Sequence, residues 1–447
     1  MKIFKMMKLI KMASLCAAML LLGGCEKEFL EAKPKKSLLV PSTLADMQSL
    51  LDNVSLMNLR PALSDIAGGE FVLADNGLLR VSTAPEKGIY LMQADPYQGA
   101  VVADWDKPYE QVFVANVVLE GLDGMQTPQA KELRGAALFF RARAFFGLAQ
   151  HFCRAYRPAS ATQDPGIPLP LASDVNRRYP RGSLEQSYSR ILADLQEAVG
   201  LLGDGIRPLN RPTRRAGLAL LARVNLQMGR FQLAGELAGQ VLESSDALID
   251  FNTVRTGSFN VFPEILPNGN AELIFFESRM GYGFFGNAVR RVNPGLLAIY
   301  GPQDLRRSVL FYHTAAGAAY FSGFDGLGNA EMMLIAAESE IRADRREQGM
   351  ALLNRLWANR CRSSGFEPLI ANDRSQAMAI LLAERERELV WRGLRWADLK
   401  RLNAEGTFAK VLTRTYNGVE YRLEPGDPRY VFPIPEDEIR ESGIQQN

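Results

Sequence analysis

Between residues 211 and 244 the chain reads RPTRRAGLALLARVNLQMGRFQLAGELAGQVLES. Two small residues, Ala222 and Ala234, stand twelve positions apart, with Gly229 between them and Phe231 just after. Antiparallel helices approach closely only where their side chains are small, and a glycine suits the turn between them. The spacing therefore predicts a two-helix unit of the tetratricopeptide type. A second copy lies at 330–360, AEMMLIAAESEIRADRREQGMALLNRLWANR, where Ala337 and Gly349 are again twelve apart and Leu353 and Leu356 fall on the second helix. A single such hairpin cannot bury its own apolar face, so a chain carrying two of them is expected to stack helices into a repeat array.

The rest of the chain supports a mainly α architecture. PSTLADMQSLLDN (41–53) opens a helix, with Ser42 or Thr43 as cap, Asp46 in the first turn, and Leu50 and Leu51 on the apolar face. Apolar residues recur at helical steps in 104–124 (Trp105, Tyr109, Val112, Phe113, Val117, Leu119) and in 129–156 (Leu133, Ala137, Phe140, Ala144, Leu148). Five prolines between Pro158 and Pro180 exclude a helix there and predict an extended surface excursion. Helices resume at Leu184. Residues 58–103 and 250–328 differ in kind: they are rich in Gly, Asn and Pro and read as loops with little regular structure. Within the second, AELIFFES reads as a short strand and GFDGLG (323–328) as a flexible loop. Long loops in a compact domain are more often functional than not.

The N-terminus carries a separate message. Lys2, Lys5, Lys8 and Lys11 precede an apolar run from Met12 to Leu22, too short to span a bilayer and the right length for a secretory signal. LGGC (22–25) then resembles a bacterial lipobox, in which the cysteine is acylated and the chain is cut just before it. The expected organisation is a signal peptide over 1–24, a lipidated tether over 25–40 with Cys25 as its first residue, and a single domain over 41–447. Repeat helices are expected over about 104–157, 184–245 and 330–403, with irregular binding segments over about 58–103 and 250–328.

Loss of residues 1–24 removes four of the 52 basic side chains and none of the 50 acidic ones, turning a formal charge of +2 into −2. That balance lacks the positive footprint of a nucleic-acid binder. The only two histidines, His151 and His313, exclude a His-rich zinc site, and no HExxH, paired CxxC, Walker-type loop or GxSxG elbow occurs. Of four cysteines, Cys16 leaves with the signal and Cys25 takes lipid. Cys153 and Cys361 remain, able to form one disulfide but expected as two buried thiols.

The C-terminus is the most specific stretch. LLAERERELVWRGLRWADLKRLN (381–403), followed by YVFPIPEDEIRESGIQQN (430–447), resembles the SusD/RagB family of Bacteroidetes outer-membrane lipoproteins. The pattern ER-x-x-EL-x-x-x-G-x-R-[WF]-x-DL-x-R is met by Glu384, Arg385, Glu388, Leu389, Gly393, Arg395, Trp396, Asp398, Leu399 and Arg401. Pro433-Ile434-Pro435, Glu438 and the terminal Gln446-Asn447 match as well, and CEKEFLEAKPKKS resembles the family's start. Arg392 departs from the pattern, which often has Glu before that glycine. Glu384 and Glu388 are four apart on one helical face with Arg385 beside them, so these residues are read as an internal ion network and not as catalytic groups.

The resemblance implies a mainly α, tetratricopeptide-like scaffold with loop-rich binding segments. It also implies a cell-surface protein, held to the outer membrane only through its lipid, that captures an oligosaccharide for a SusC-like TonB-dependent barrel. Glu26-Lys27-Glu28 resembles the family's short charged signal for the outer face. No catalytic residue, metal or cofactor is implied. A peptide ligand, or an adaptor role without a soluble ligand, are the alternatives.

Glycan capture favours exposed aromatic rings. Trp357, Trp391 and Trp396 are expected within helices, and all four tryptophans in the core. The irregular segments hold Tyr90, Tyr97, Phe259, Phe262, Tyr282, Phe284, Phe285, Tyr312, Tyr320 and Phe321. MGYGFFGN (280–287) is the densest cluster, presenting Tyr282, Phe284 and Phe285, with rings turned into the core as the other reading. Candidate ligand residues are these three with Asn76, Arg80, Tyr97 and Tyr320.

Overall fold

A computed structural model describes residues 41–81, 83–315 and 317–447. The signal, the tether and Cys25 lie outside the described residues. Ten helices of eight residues or more are present among them: α1 (Leu44–Leu51), α2 (Ala103–Gly121), α3 (Pro128–Phe152), α4 (Leu184–Leu201), α5 (Arg214–Gln227), α6 (Phe231–Ser244), α7 (Asn329–Arg342), α8 (Arg346–Ala358), α9 (Arg374–Glu388) and α10 (Arg395–Glu405). Local chemistry sets their starts. Thr127, Ser183, Thr213 and Asp373 each accept a backbone N–H of the first turn, and Ser183 with Gln186 forms a complete capping box.

The helices pack in chain order, α2 on α3, α3 on α4, α4 on α5, α5 on α6, and then α6 on α7 and α7 on α8 and α9. Residues Leu44–Asn447 form one compact unit. The small-residue spacing does what the sequence predicts: Ala222, Ala234 and Ala337 are fully buried. At Gly349 a Cβ would lie 2.5 Å from Ile341 Cγ1 and 3.0 Å from the Ala337 carbonyl, so only glycine lets α7 and α8 approach this closely. Cys153 and Cys361 are buried and unbonded.

The two irregular segments are more ordered than their composition predicts, because each supplies the other's strand partners. Leu59–Arg60 pairs with Ser278–Arg279, and Phe71–Leu73 pairs with Arg290–Val292. Helices also form within the first, at Leu63–Ala67 and at Ala84–Tyr90, the latter capped by Thr83. The predicted strand at Leu273–Phe276 is present, and its partner is Gly326–Gly328, which the sequence reading took for a flexible loop. Gly326 has φ +127°, and a Cβ there would sit 2.1 Å from the Phe275 carbonyl, so this glycine serves a close strand approach. A hairpin at Leu412–Tyr416 and Val419–Leu423 was not anticipated. The excursion after α3 is extended as expected, its Pro165–Pro168 strand pairing with Arg181–Ser183.

Buried charge joins the long segment between α6 and α7 to α9. Arg306 donates to Asp304 (2.8 Å), Glu384 (2.8 Å) and Glu388 (3.3 Å), and Arg360 donates to Glu388 (2.9 Å) and Glu272 (2.7 Å). All are buried, and the two guanidiniums hold the Glu388 carboxyl down to about 2 against the cost of its burial. Arg385 turns away to Asp398 (3.0 Å), which also meets Arg401 (2.7 Å). The motif residues are thus structural, as their spacing suggested. Glu388→Gln is expected to destabilise the protein by about 3 kcal/mol in urea unfolding at pH 7, because two buried guanidiniums lose a shared counter-charge.

Candidate functional site

The irregular segments converge on Trp391. This residue lies in the turn between α9 and α10 at φ +57°, not in a helix as expected, because α9 ends at Glu388 and the chain turns through positive φ at Trp391 and Gly393 before α10 begins. Its indole stacks on Phe71 at 3.6 Å and meets Phe285 and Phe321 edge-on at 5.4 and 6.0 Å. The guanidiniums of Arg279 and Arg290 lie 4.4 and 4.3 Å from the ring. Its backbone N–H donates to Glu70 Oε1 (3.1 Å), and its carbonyl accepts from Arg60 (3.2 Å). Three stretches distant in sequence, at Phe71, at Arg279–Arg290 and at Phe321, are therefore anchored on one buried ring.

Several sequence candidates belong to this frame and not to its surface. Phe284 is fully buried against Tyr90, and its N–H donates to Glu86. Tyr97 is buried too, so neither ring offers a face to a ligand, a correction to the sequence reading. Tyr282 donates to Asp104 Oδ1 at 2.8 Å, and Asp104 also accepts the N–H groups of Ala62 and Leu63. Burial pushes the Asp104 carboxyl up to about 6. Phe285 is half-buried under Arg279, 5.1 Å away. The 280–287 cluster thus follows the second reading given for it: Phe284 is buried, and Tyr282 and Phe285 pack half-buried against the core.

Two other candidates stay outside. Asn76 (φ +60°) and Arg80 sit on an exposed turn beside Leu79, which is 82% exposed. The Asn76 N–H donates to Asn417 Oδ1 (3.0 Å), Leu78 N–H to the Tyr416 hydroxyl (3.1 Å), and Asn287 to the Gly77 carbonyl (3.1 Å). The turn is thereby clamped between the 412–423 hairpin and the 284–292 segment. The Asn417-Gly418 pair, flanked by alternating LTRTY and VEYRL, is the sequence signal that could have revealed this hairpin.

Tyr320 stands on the hairpin of Phe311–His313 and Ala319–Phe321. Phe311 and Phe321 face the core, while Tyr312 and Tyr320 are opposed in register on the other, half-exposed face. Phe259, 49% exposed, meets Tyr320 edge-on at 6.0 Å, and Arg290 lies 5.0 Å from the Tyr320 ring. Phe259 and Tyr312 are among the loop aromatics of the sequence but not among its ligand candidates: sequence separation hides the nearness of Phe259 to Tyr320, and the unanticipated hairpin that of Tyr312. The 287–292 segment links this face to the Asn76 turn: Ala74 N–H donates to the Val289 carbonyl (3.1 Å), and Arg290 donates to the Ala319 carbonyl (2.8 Å). The arrangement offers half-exposed rings, hydroxyls and guanidiniums on a rigid base. Among the described residues no cluster of three or more His, Cys, Asp or Glu could hold a metal, and no helix is long and apolar enough to cross a membrane.

Glu70 gives the frame a pH dependence. Burial, with Asp65 nearby, raises its carboxyl to about 8 from an ordinary 4.5. Between these values the folded protein keeps a proton that the unfolded chain has lost, so this group's contribution to stability falls as pH rises from about 5 to 8. Gln keeps the acceptor for Trp391 without ionising. Glu70→Gln is therefore expected to raise stability relative to the parent by on the order of 3 kcal/mol more at pH 8 than at pH 5, read by chemical denaturation at both.

Comparison with known proteins agrees with this architecture. Residues 28–226 match a family model described as starch-binding and associating with the outer membrane, and residues 329–447 match that of the SusD family. SusD-like protein P2 of Formosa agariphila is 25% identical over 423 residues, spanning 78% of this chain and 80% of that one. Among solved structures, a SusD superfamily protein from Bacteroides vulgatus superposes with TM-score 0.72 at 20% identity, covering 91% of this chain and 99% of the other. Surface glycan-binding protein A from Bacteroides uniformis gives 0.65 at 17% identity with the same coverage. With its C-terminal motif, its helical array and both family matches in agreement, the chain belongs to the SusD/RagB family.

Proposed function

We propose that this protein is a cell-surface lipoprotein that captures an oligosaccharide and passes it to a SusC-like TonB-dependent transporter, without chemical turnover. The observation that carries the reading is the half-exposed face of Tyr312, Tyr320 and Phe259, braced on the Trp391 frame and adjoining the Asn76–Arg80 turn. A sugar's C–H face packs on such rings, while hydroxyls and guanidiniums nearby take its polar edge. The family description and a neighbour named as glycan-binding support this choice of ligand. Cys25 is the lipid attachment point, placing the domain on the outer membrane. Trp105, Trp391 and Trp396 are buried, which leaves no exposed indole among those three and keeps a peptide ligand as the second reading.

Calorimetric titration of a soluble form beginning at Glu26, against plant, host and microbial oligosaccharides with a peptide digest alongside, tests the proposal. Saturable binding to one saccharide class with no hydrolysis is expected. Tyr320→Ala and Phe259→Ala should each weaken it about tenfold at unchanged melting temperature. Heat from the peptide digest alone would move the assignment to peptides. In cells, Cys25→Ser should abolish palmitate incorporation and release the protein from the membrane fraction.

A further inference from the structure

Resting on the capture reading, we infer that the protein has a second oligosaccharide subsite, in a cleft of about 510 Å³ between α2, the proline-rich excursion and the C-terminal helix Glu436–Ser442. It shares no residue with the Tyr320 face. The cleft follows from how the excursion is tied down. The Tyr109 hydroxyl donates to the Pro168 carbonyl (3.0 Å), and the Asn116 amide donates to the carbonyls of Pro170 (3.0 Å) and Ala172 (3.2 Å). The Ser173 N–H donates to Glu120 (2.7 Å), so residues 168–173 are held along α2. The Arg181–Ser183 strand then returns the chain to Pro165–Pro168. Residues 174–179, between these two fixtures, form one wall of the cleft. The floor is one face of α2, where Trp105, Tyr109, Phe113 and Asn116 recur at steps of four and three. Trp105 is buried, and its indole N–H donates to Glu438 Oε2 (3.2 Å), which ties the C-terminal helix to that floor. Phe113 is 40% exposed, a large apolar ring left open on the same face.

The walls join ring faces to hydrogen-bonding groups that the protein leaves unused. The Arg177 guanidinium lies over the Tyr179 ring, 5.0 Å from its centre, and the Tyr179 hydroxyl makes no hydrogen bond. Among the described residues, the side chains of Asn176, Arg178 and Glu441 have neither a hydrogen-bond nor an ion-pair partner. The volume is in the usual range for a small-molecule cleft, and a few polar groups around aromatic rings are the usual lining. Sugar hydroxyls both donate and accept, so a guanidinium, an amide and a carboxylate set close together all find partners on them. The C–H face of the sugar packs on Phe113 and Tyr179. An extended peptide would need main-chain partners instead. Here the carbonyls of Pro168, Pro170 and Ala172 are already taken by Tyr109 and Asn116, and the two prolines have no N–H to offer. Two subsites on one chain make the second contact of a long saccharide intramolecular, which holds a polymer more firmly than either subsite alone.

The test uses the soluble form beginning at Glu26, titrated calorimetrically with maltoheptaose, cellohexaose, xylohexaose and mannohexaose. Tyr320→Ala is expected to leave residual saccharide binding, which belongs to the cleft. Adding Phe113→Ala or Tyr179→Ala to that variant should weaken the remainder about tenfold at unchanged melting temperature. Arg178→Gln, at an exposed position with no partner in the fold, should weaken it in the same direction. Binding at a single site, lost in Tyr320→Ala and untouched by Phe113→Ala and Tyr179→Ala, would overturn the second subsite and leave capture standing. Binding lost only in the cleft variants would keep the subsite and remove the Tyr320 face from the capture reading. Binding that survives all three aromatic changes would overturn both placements. No binding by any saccharide, here or in the wider panel, would overturn the subsite together with the capture reading.

Discussion

The shared grip of Arg306 and Arg360 on Glu388 is the constraint on which the rest of the molecule depends. Residues 245–328 interrupt the helical array between α6 and α7, and a segment of that length has a large conformational entropy to lose. Asp304, Arg306 and Glu272 belong to it; Glu384 and Glu388 belong to α9; Arg360 follows α8. Their ion pairs lie where water is excluded, so a misplaced segment would leave several charges buried without partners. Desolvation takes back much of the Coulomb gain. The network's effect is therefore to make one docking of the segment far better than any other, more than to add net stability.

Trp391 carries that order outward. The turn that ends α9 presents its indole to Phe71, Phe285 and Phe321 and to two arginines, all from the irregular segments. The turn inside the family motif is therefore scaffold on one side and, on the other, the support of the proposed ligand face. Glu70, Arg60 and Asp65 lock the turn from below. The helical array sets where the turn lies, and the turn sets where Tyr320 and the Asn76 loop can stand. A rigid scaffold presenting variable loops is how one fold serves many ligands.

The parts legible in the sequence are those whose physics is local. The helix pairs at 211–244 and 330–360 showed through twelve-residue spacing, because a helical hairpin brings together residues near in the chain. The strand at Leu273–Phe276 showed through its aromatic and branched residues, and the Asn417-Gly418 hairpin was legible although it was passed over. The loop residues were not. Tyr282 and its partner Asp104 are 178 positions apart, and Gly77 and Asn287 are 210 apart. No local pattern says whether a ring at such a position turns toward solvent or core. Glycines around Tyr282, Phe284 and Phe285 permit either outcome, and packing against Tyr90 and Trp391 selected the second.

What the sequence by itself determined is the helical-repeat architecture and the membership marked by 381–403 and 430–447, since each rests on short-range spacing or contiguous motif. The tertiary structure alone decided which loop residues face outward: Tyr312, Tyr320, Phe259, Arg291 and the Asn76 turn on one side, Phe284, Tyr97 and Arg290 on the other. The reason is that exposure of a loop side chain follows from contacts with segments hundreds of residues away. Those contacts exist only once the buried ion network and Trp391 have brought the segments together.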